Sequence, residues 1–297
     1  VMGPYVEKFE EQIAKFCGQK YAIAVTSGTS ALTLSLTSMN INNNSIVFVP
    51  AYTWVATYNA PKLLGAEVRL VDIDSHNFCI NPISSQNLFN KIQFNNKKSV
   101  IIPVHMFGNR CPSNLGNFDY ILGDGCCAFG GKDIDGTRCG NWNEIECFSF
   151  HPRKLITTGE GGMVLCSNDK LASLLRIRRD HGAFRSPEQR FQTINGGDMI
   201  PDFPEAGYNM RLTELQGALG VSQMDRIDMI IDSRMKVAET YDQRLNYLYN
   251  NQNDYYLRLP IKQQPGAERV LTMYSVQLRS NKLDEYINKL SLLKINS

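Results

Sequence analysis

Seven short apolar runs, separated by segments long enough for helices, organise the first two thirds of the chain. Each run is almost uninterrupted, so the side chains on both faces of the corresponding strand would be apolar. Strands of this kind are typical of parallel sheets covered by helices on both faces. The sequence therefore predicts an α/β fold with a mostly parallel, seven-stranded sheet, whose strands fall at 22–25, 46–49, 68–71, 100–104, 120–122, 145–150 and 163–166.

Helical patterns lie around these strands. The segment 5–16 places one apolar and aromatic stripe on a single face, and leucines recur at spacings of three and four in 212–224. The two stripes are Tyr5, Phe9, Ile13 and Phe16, and Leu212, Leu215 and Leu219. Between residues 32 and 36 leucines alternate, which is a strand pattern, but the position after a glycine-containing turn favours a helix.

The pattern of apolar and charged residues changes near residue 226. A charged helix, two strands and a further helix are predicted beyond it, at 225–248, 255–259, 270–278 and 283–293. We expect two domains, a large one over 1–225 and a smaller α/β domain over 226–297 that the chain leaves incomplete.

The composition is that of a globular protein with a substantial core. Of the 297 residues, 43% are hydrophobic and 20% are charged, and the formal net charge is +2. This charge predicts neither a nucleic-acid partner nor a basic membrane patch, and no apolar run approaches a membrane span in length. The eight cysteines show no C-x-x-C pair and no zinc-site spacing, so we expect free thiols, no metal site and a cytoplasmic location.

One lysine interrupts the apolar pattern where a surface residue is unexpected. Lys154 lies in a polar bend between the predicted strands 145–150 and 163–166. A surface loop is the ordinary place for a lysine. The alternative is an amine in a partly desolvated cleft, where a lowered pKa makes it a nucleophile toward carbonyl groups. Lysine Schiff bases with pyridoxal phosphate use this chemistry, and they need an aspartate and a phosphate site nearby.

Polar residues at other strand ends could supply these partners. The turn 26–30 follows the first strand and could aim N–H groups and hydroxyls at an anion, and Ser149 offers another hydroxyl. Asp124 ends the fifth strand, where ligands of parallel sheets bind, and Trp54 follows the second. Taken singly, each has a simpler explanation: an ordinary turn, a helix N-cap for Asp124, and a core position for Trp54.

Seven stretches distributed along the chain match one known family in content and in order. They are S-G-T-S-A-L (27–32), P-A-Y-T-W-V-A-T (50–57), V-D-I-D (71–74), P-V-H-M-F-G (103–108), G-D-G-C-C-A-F-G (123–130), S-F-H-P-R-K-L-I-T-T-G-E-G-G (149–162) and G-Y-N-M-R-L-T-E-L-Q (207–216). With them the chain resembles the DegT/DnrJ/EryC1/StrS family of pyridoxal-phosphate-dependent sugar aminotransferases over essentially its whole length. The stretch around Lys154 is highly specific, and the last one is moderately so.

The resemblance implies the type I fold of pyridoxal-phosphate-dependent aminotransferases and a role for each matching residue. Lys154 would bind the cofactor aldehyde and then move the proton. Asp124 would pair with the pyridinium nitrogen, and Trp54 would stack on the ring. The phosphate end of the cofactor site would be formed by Gly28, Thr29, Ser30 and Ser149.

Two further implications concern the partner subunit and the departures from the family. Asn209 would reach the cofactor phosphate of the neighbouring subunit, because family members form homodimers with shared active sites. Cys127, also placed against the cofactor, stands where the family commonly has Gln or His, and a thiol is a weaker hydrogen-bonding partner. The family pattern also starts before Val1 and continues beyond Ser297, so we expect a shortened member.

By resemblance, the reaction is transfer of an amino group from L-glutamate to a nucleotide-linked keto-deoxy sugar, such as a 4-keto-6-deoxyhexose, which gives an amino sugar. A keto-cyclitol or an aminobenzoate-type precursor is an alternative acceptor. Lys154 argues against the dehydratases of the family, in which His replaces the lysine. An alternative of another class is a non-catalytic regulatory dimer that binds pyridoxal phosphate.

Overall fold

A seven-stranded sheet forms the centre of the protein. The computed structural model describes residues 3–184, 193–194, 197–198, 202–251, 257–260, 266–278 and 283–295. The strands of the sheet are β1 (Tyr21–Val25), β2 (Ser45–Pro50), β3 (Glu67–Val71), β4 (Lys98–Ile101), β5 (Tyr120–Asp124), β6 (Ile145–Ser149) and β7 (Gly162–Cys166). All seven predicted strands are confirmed, although β4 ends at Ile101, before the predicted end at residue 104.

The strand order is β1-β7-β6-β5-β4-β2-β3. The five neighbouring strands β6, β5, β4, β2 and β3 are parallel to one another, whereas β7 is antiparallel to both of its neighbours, β6 and β1. The strand β1 therefore points the same way as β6. As a result, the carboxyl ends of every strand except β7 lie at one edge, and the predicted mostly parallel α/β sheet is confirmed.

Helices cover both faces of the sheet. The α-helices of the described residues are α1 (Pro4–Cys17), α2 (Gly28–Ser38), α3 (Ala56–Leu63), α4 (Pro82–Lys91), α5 (Asp169–Arg179), α6 (Glu214–Met224), α7 (Ile227–Asn251) and α8 (Leu283–Leu292), of which α8 buries no residue. Along β1, Ala24 packs into one core with Phe9 of α1, and Ile23 packs into the opposite core with Leu32 of α2. Successive side chains of a strand point to opposite faces, so a strand with two buried faces is apolar throughout.

The segment with alternating leucines is α2, as its position predicts. Leu32, Leu34 and Leu36 are all buried, although they do not share one helical face. The helix packs against β6 and β7 and also against α3 and α5, so it is covered on several sides. The alternating pattern is therefore that of a helix buried almost all round.

The leucine stripe predicted for 212–224 faces the core only at Leu212, which is buried. Leu215 and Leu219 of α6 are 86% and 43% exposed. The buried side carries Gly217 and Gly220, and a Cβ at Gly220 would lie only 2.7 Å from the Phe9 ring of α1. Because glycine contributes no apolar side chain, this close helix–helix contact leaves no mark in a hydrophobic pattern. In α1, Tyr5 likewise lies outside the buried stripe, with 52% of its surface exposed.

The predicted elements beyond residue 226 are confirmed in part. Both helices are present as α7 and α8, and β10 (Leu257–Arg258) pairs antiparallel with β11 (Gln277–Leu278). The strand predicted at 270–278 is wrong before residue 277, because residues 270–276 form bends and irregular backbone, with Val270 buried in the same core as Leu155. Residues 255 and 256 of the other predicted strand lie outside the described residues. The division into domains at residue 225 stays a prediction.

Two short antiparallel strand pairs lie outside the central sheet in the described residues. One is the β10–β11 pair, and the other is formed by β8 (Thr193–Ile194) and β9 (Gly197–Asp198). None of the helices in the described ranges has both the length and the apolar character needed to cross a membrane.

Candidate functional site

The predicted site residues other than Asn209 lie at the carboxyl edge of the sheet. The strand β1 leads into α2, β2 leads into the turn with Trp54, β5 ends at Asp124, and β6 ends at Ser149 just before the loop with Lys154. Open parallel sheets bind ligands in crevices at this edge. The topology therefore brings together residues that are far apart in sequence.

Lys154 lies in the loop that joins β6 to β7. Leu155 and Ile156, which follow it, are buried and hold the loop against the core. Lys154 itself is half-buried, and its Nζ lies 3.5 Å from Sγ of Cys127. The structure thus places the amine in a cleft rather than on an open surface loop.

Asp124 is buried and held on both of its oxygens. Oδ2 accepts a hydrogen bond from Oγ1 of Thr57 at 2.9 Å, and Oδ1 accepts one from the N–H of Cys126 at 3.1 Å. Its own N–H donates to the carbonyl of Pro103 at 2.8 Å, and its carbonyl accepts from the N–H of His105 at 3.0 Å. The carboxylate therefore has a fixed direction.

The N-terminus of α2 offers an anion site. Ser27 caps the helix, since its Oγ accepts from the N–H of Ser30 at 3.0 Å, and the Ser30 hydroxyl lies 2.9 Å from the same oxygen. The N–H groups of Gly28 and Thr29 have no acceptor within the helix. A Cβ at Gly28 would lie 2.8 Å from Cβ of Ser149, so only glycine allows α2 to approach the end of β6 this closely.

The predicted lowering of the Lys154 pKa is wrong. Burial does lower the pKa of the amine, but Cys127, Cys126 and Asp124 raise it by more, so it lies above the ordinary value of 10.5. The amine of the chain alone is therefore protonated at neutral pH. The acidic groups raise the pKa of the lysine by more than desolvation lowers it. The sequence pattern does not show that these groups lie next to the lysine.

The two thiols beside Lys154 stay protonated at neutral pH. Burial raises the pKa of Cys127, and it raises that of Cys126 well above the ordinary value of 9.0. Because the thiolate is the reactive form of cysteine, neither side chain is a ready nucleophile.

Trp54 and Asn209 lie at the rim. Trp54 is 71% exposed, and its carbonyl accepts a hydrogen bond from the N–H of Thr57 at 3.1 Å. Asn209 is exposed and forms a short bridge with Asp180 near the end of β1. Within the described part of the chain, no hydrogen bond joins Asn209 to Lys154. The structure therefore brings the other predicted residues together and leaves Asn209 outside.

Thr57 is the main residue of the site that sequence reasoning missed. It is 1% exposed and donates to Asp124, and its Oγ1 lies 3.0 Å from Oγ1 of Thr53. The signal available in the sequence was a pair of threonines four residues apart after a strand. Such a pair lies on one face of a helical turn, but it does not indicate what that face contacts.

The arrangement fits pyridoxal phosphate. The cofactor requires an amine for its aldehyde, a carboxylate for its ring nitrogen and an anion site for its phosphate. Lys154, Asp124 and the N-terminus of α2 offer these three kinds of group at one edge of the sheet. The close approach of Gly28 to Ser149 also brings the side chain of Ser149 next to the N-terminus of α2, where its hydroxyl can contribute to a phosphate site.

A comparison with protein families identifies the chain. The model described as the DegT/DnrJ/EryC1/StrS aminotransferase family matches residues 1–296. The chain belongs to this family. The predicted resemblance, the type I fold and the enzyme class are confirmed, and pyridoxal phosphate is the cofactor that the family uses.

Two curated relatives have a nucleotide-linked sugar in their names. GDP-perosamine synthase of Caulobacter vibrioides is 31% identical over 304 residues, which cover 100% of this chain and 76% of the relative. UDP-4-amino-4,6-dideoxy-N-acetyl-beta-L-altrosamine transaminase of Campylobacter jejuni is 30% identical over 275 residues, which cover 91% of this chain and 68% of the relative.

A solved structure agrees with the fold and the cofactor. NtdA of Bacillus subtilis with bound pyridoxamine phosphate is 25% identical and superposes with a TM-score of 0.79. The match covers 98% of this chain and 62% of that one, so the chain spans under two thirds of the length of NtdA.

Proposed function

We propose that this chain transfers an amino group from L-glutamate to a nucleotide-linked keto-deoxy sugar, a 4-keto-6-deoxyhexose, and so produces an amino sugar. The observation that carries the proposal is the position of Lys154 in a chain that belongs to an aminotransferase family. The amine is half-buried beside Cys127, and the Asp124 carboxylate helps to raise its pKa. A lysine at this point supports amino transfer over dehydration, for which the family has a histidine.

The names of the relatives support the substrate class. One relative is a GDP-perosamine synthase, and the other is a transaminase whose named compound is a UDP-linked 4-amino-4,6-dideoxy sugar. Both names contain a nucleoside diphosphate, and the second contains an amino group at carbon 4 of a dideoxy sugar. We extend this class to the present chain.

We assign the binding roles from the contacts of the site. The N–H groups of Gly28 and Thr29 and the hydroxyl of Ser149 would hold the cofactor phosphate, Asp124 would hold the ring nitrogen, and Trp54 would cover the ring face. Ser30 supports the phosphate end through the cap of α2. When bound, pyridoxal phosphate supplies an aldehyde that takes up amino groups and a ring that draws electrons from the bond being broken.

Lys154 would act as the general base and acid. In the first half-reaction its Nζ would take the proton from Cα of glutamate and deliver it to the cofactor. In the second its Nζ would take a proton back from the cofactor and deliver it to the corresponding carbon of the sugar. Cys127 lies 3.5 Å from Nζ and raises the pKa of the amine, so this contact favours the protonated form in which Lys154 acts as an acid.

We further propose a homodimer with shared active sites. Asn209 is exposed and lies outside its own chain's site, as expected of a residue that serves the neighbouring subunit. Exposed apolar residues also lie at the rim and on α6, where Val55 is 53% and Leu215 86% exposed. Such residues are commonly covered in a subunit interface.

The compartment and the domain division are proposals as well. All eight cysteines are free thiols, which is the state expected in the reducing cytoplasm. We retain the large domain over 1–225 and the small domain over 226–297, because the long helix α7 begins at this division.

The decisive experiment supplies the purified chain with pyridoxal phosphate, L-glutamate and a panel of nucleotide-linked keto sugars. We expect 2-oxoglutarate and an amino sugar, both measured by mass spectrometry, with a 4-keto-6-deoxyhexose as the best acceptor. Amination of a keto-cyclitol instead would replace the substrate class. A cofactor absorbance that glutamate leaves unchanged would favour the non-catalytic dimer.

Lys154→Ala tests the central assignment. The variant removes the only group to which we assign proton transfer, so kcat should fall by at least about a thousandfold. Lys20→Ala is the matched control, because Lys20 is an exposed lysine paired with Asp169 at the far end of β1. A near-normal rate in the Lys154 variant would sink the proposal.

A further inference from the structure

A buried pair of side chains lies behind Asp124 and has no part in the proposed function. His105 and Glu146 are 1% and 0% exposed, and Nε2 of the ring lies 2.8 Å from Oε1 of the carboxylate. Removing such groups from water is costly, and apolar residues of similar volume are often at least as stable. The pair therefore calls for a role other than stability.

Every side of the pair is fixed by a further contact. Oε2 of Glu146 accepts from the N–H and Nδ2 of Asn143 at 3.3 and 3.4 Å, and Oε1 lies 3.8 Å from Sγ of Cys139. Nδ1 of His105 accepts from the N–H of Cys111 at 3.0 Å. Since Nδ1 is an acceptor, Nε2 carries the proton that is donated to Glu146. Nε2 also lies 3.1 Å from Nδ2 of Asn143, so Asn143 contacts both members of the pair. These contacts fix the positions of the two side chains.

Two glycines connect this network to Asp124 through β5. Gly123 lies opposite Glu146 in the β5–β6 ladder, and a Cβ on it would lie 2.8 Å from Cδ of Glu146. A Cβ at Gly125 would lie 3.0 Å from Oε1 of the same carboxylate. Neighbouring positions of a strand face opposite sides, so Asp124 faces the cofactor side while the glycines on either side of it make room for Glu146.

The backbone supplies a second connection. The N–H of His105 donates to the carbonyl of Asp124, and the N–H of Asp124 donates to the carbonyl of Pro103. Residues 103–105 thus hold both backbone polar groups of Asp124. The ring of His105 in turn fixes this segment to β6 through Glu146.

We propose that His105 and Glu146 are positioning residues that lock residues 103–105 to β6 and so aim the Asp124 carboxylate at the ring nitrogen of the cofactor. The inference rests on the cofactor site of the proposed function and not on its sugar substrate. Glu146→Gln tests it with little change of volume. The new amide would place a donor against the donors of Asn143 or of His105, so the network would open.

The readouts are the affinity of the cofactor-free chain for pyridoxal phosphate and the pH midpoint of the bound cofactor's absorbance. For Glu146→Gln we expect affinity weaker by about tenfold or more, the scale seen when outer partners of metal ligands are removed, and a shifted midpoint. Glu10→Gln is the matched control, because Glu10 forms another buried pair, with Arg179, at side-chain exposures of 12% and 5%. The control should lose stability but keep both readouts.

Unchanged affinity and an unchanged midpoint in folded Glu146→Gln protein would overturn the proposal. If the variant fails to fold, the unaltered chain provides the test through ¹⁵N signals of the His105 ring, one of four histidines. These signals should shift when pyridoxal phosphate is added, and unchanged signals at saturation would refute the coupling. A chain that binds the cofactor normally but aminates no sugar would refute the proposed function and leave these outcomes intact.

Discussion

At the scale of single residues, Thr57 shows how one hydroxyl can set the direction of a buried carboxylate. Thr57→Val keeps the shape of the side chain but leaves Oδ2 of Asp124 without the donor that now lies at 2.9 Å. We expect the free energy of unfolding to fall by about 1–3 kcal/mol, the usual effect of leaving a buried polar group unsatisfied. The affinity for pyridoxal phosphate should fall as well. Urea unfolding and cofactor titration measure the two effects.

Thr57→Ser is the control for this change. Serine keeps the donor and removes one buried methyl group, so it should lose about 1 kcal/mol of stability and bind the cofactor nearly as well as the unaltered chain. Equal cofactor affinities for the Val and Ser variants would contradict the role given to the hydroxyl.

At the scale of elements, Glu214 joins the start of α6 to the start of α1. Its carboxylate accepts from the N–H groups of Gly3 at 2.7 Å, Val6 at 3.0 Å and Tyr5 at 3.1 Å. Partial burial raises its pKa, but these N–H donors lower it by more, so the pKa lies below the ordinary value of 4.5. The side chain thus provides the N-terminal cap that Gly3, at the N-cap position of α1, lacks.

This lowered pKa predicts a pH dependence of stability. A carboxyl group whose pKa is lower in the folded chain stabilises the fold above its ordinary pKa, and the contribution is lost as the pH falls through the folded value. Glu214→Gln should therefore cost about 1 kcal/mol at pH 7, with the difference vanishing well below pH 4. Thermal unfolding across pH measures this, with Glu11→Gln, a change at an exposed position of α1, as control. A difference that is constant down to pH 2 would contradict the assignment.

The sequence predicts the elements better than their contacts. The seven strands follow from apolar runs because both faces of each central strand are buried, and the strand ends then place Asp124 and Ser149 at one edge. The exposure of Leu215 and the pKa of Lys154 were not predictable in this way. Both depend on what lies across a contact, namely glycines against Phe9 in one case and buried thiols in the other.

At the scale of the whole molecule, the exposed side of α6 predicts self-association. Leu215→Glu should weaken a dimer by about tenfold or more, because a charge would enter an apolar interface. Leu292→Glu is the control, since Leu292 of α8 is also an exposed leucine, at 84% against 86% for Leu215. Sedimentation equilibrium measures the dissociation constant. Identical constants for the two variants would place the interface elsewhere.

Shared active sites predict complementation between two inactive chains. If Asn209 serves the neighbouring subunit, a dimer of one Lys154→Ala chain and one Asn209→Ala chain has one site with both changes and one site with neither. Because a twofold dimer has two equivalent sites, random mixing should restore about a quarter of the original activity. The control mixes Lys154→Ala with the double variant, which leaves no intact site and should restore nothing. If each chain instead used its own Asn209, every site in the first mixture would carry one change, and the mixture would stay as inactive as its components.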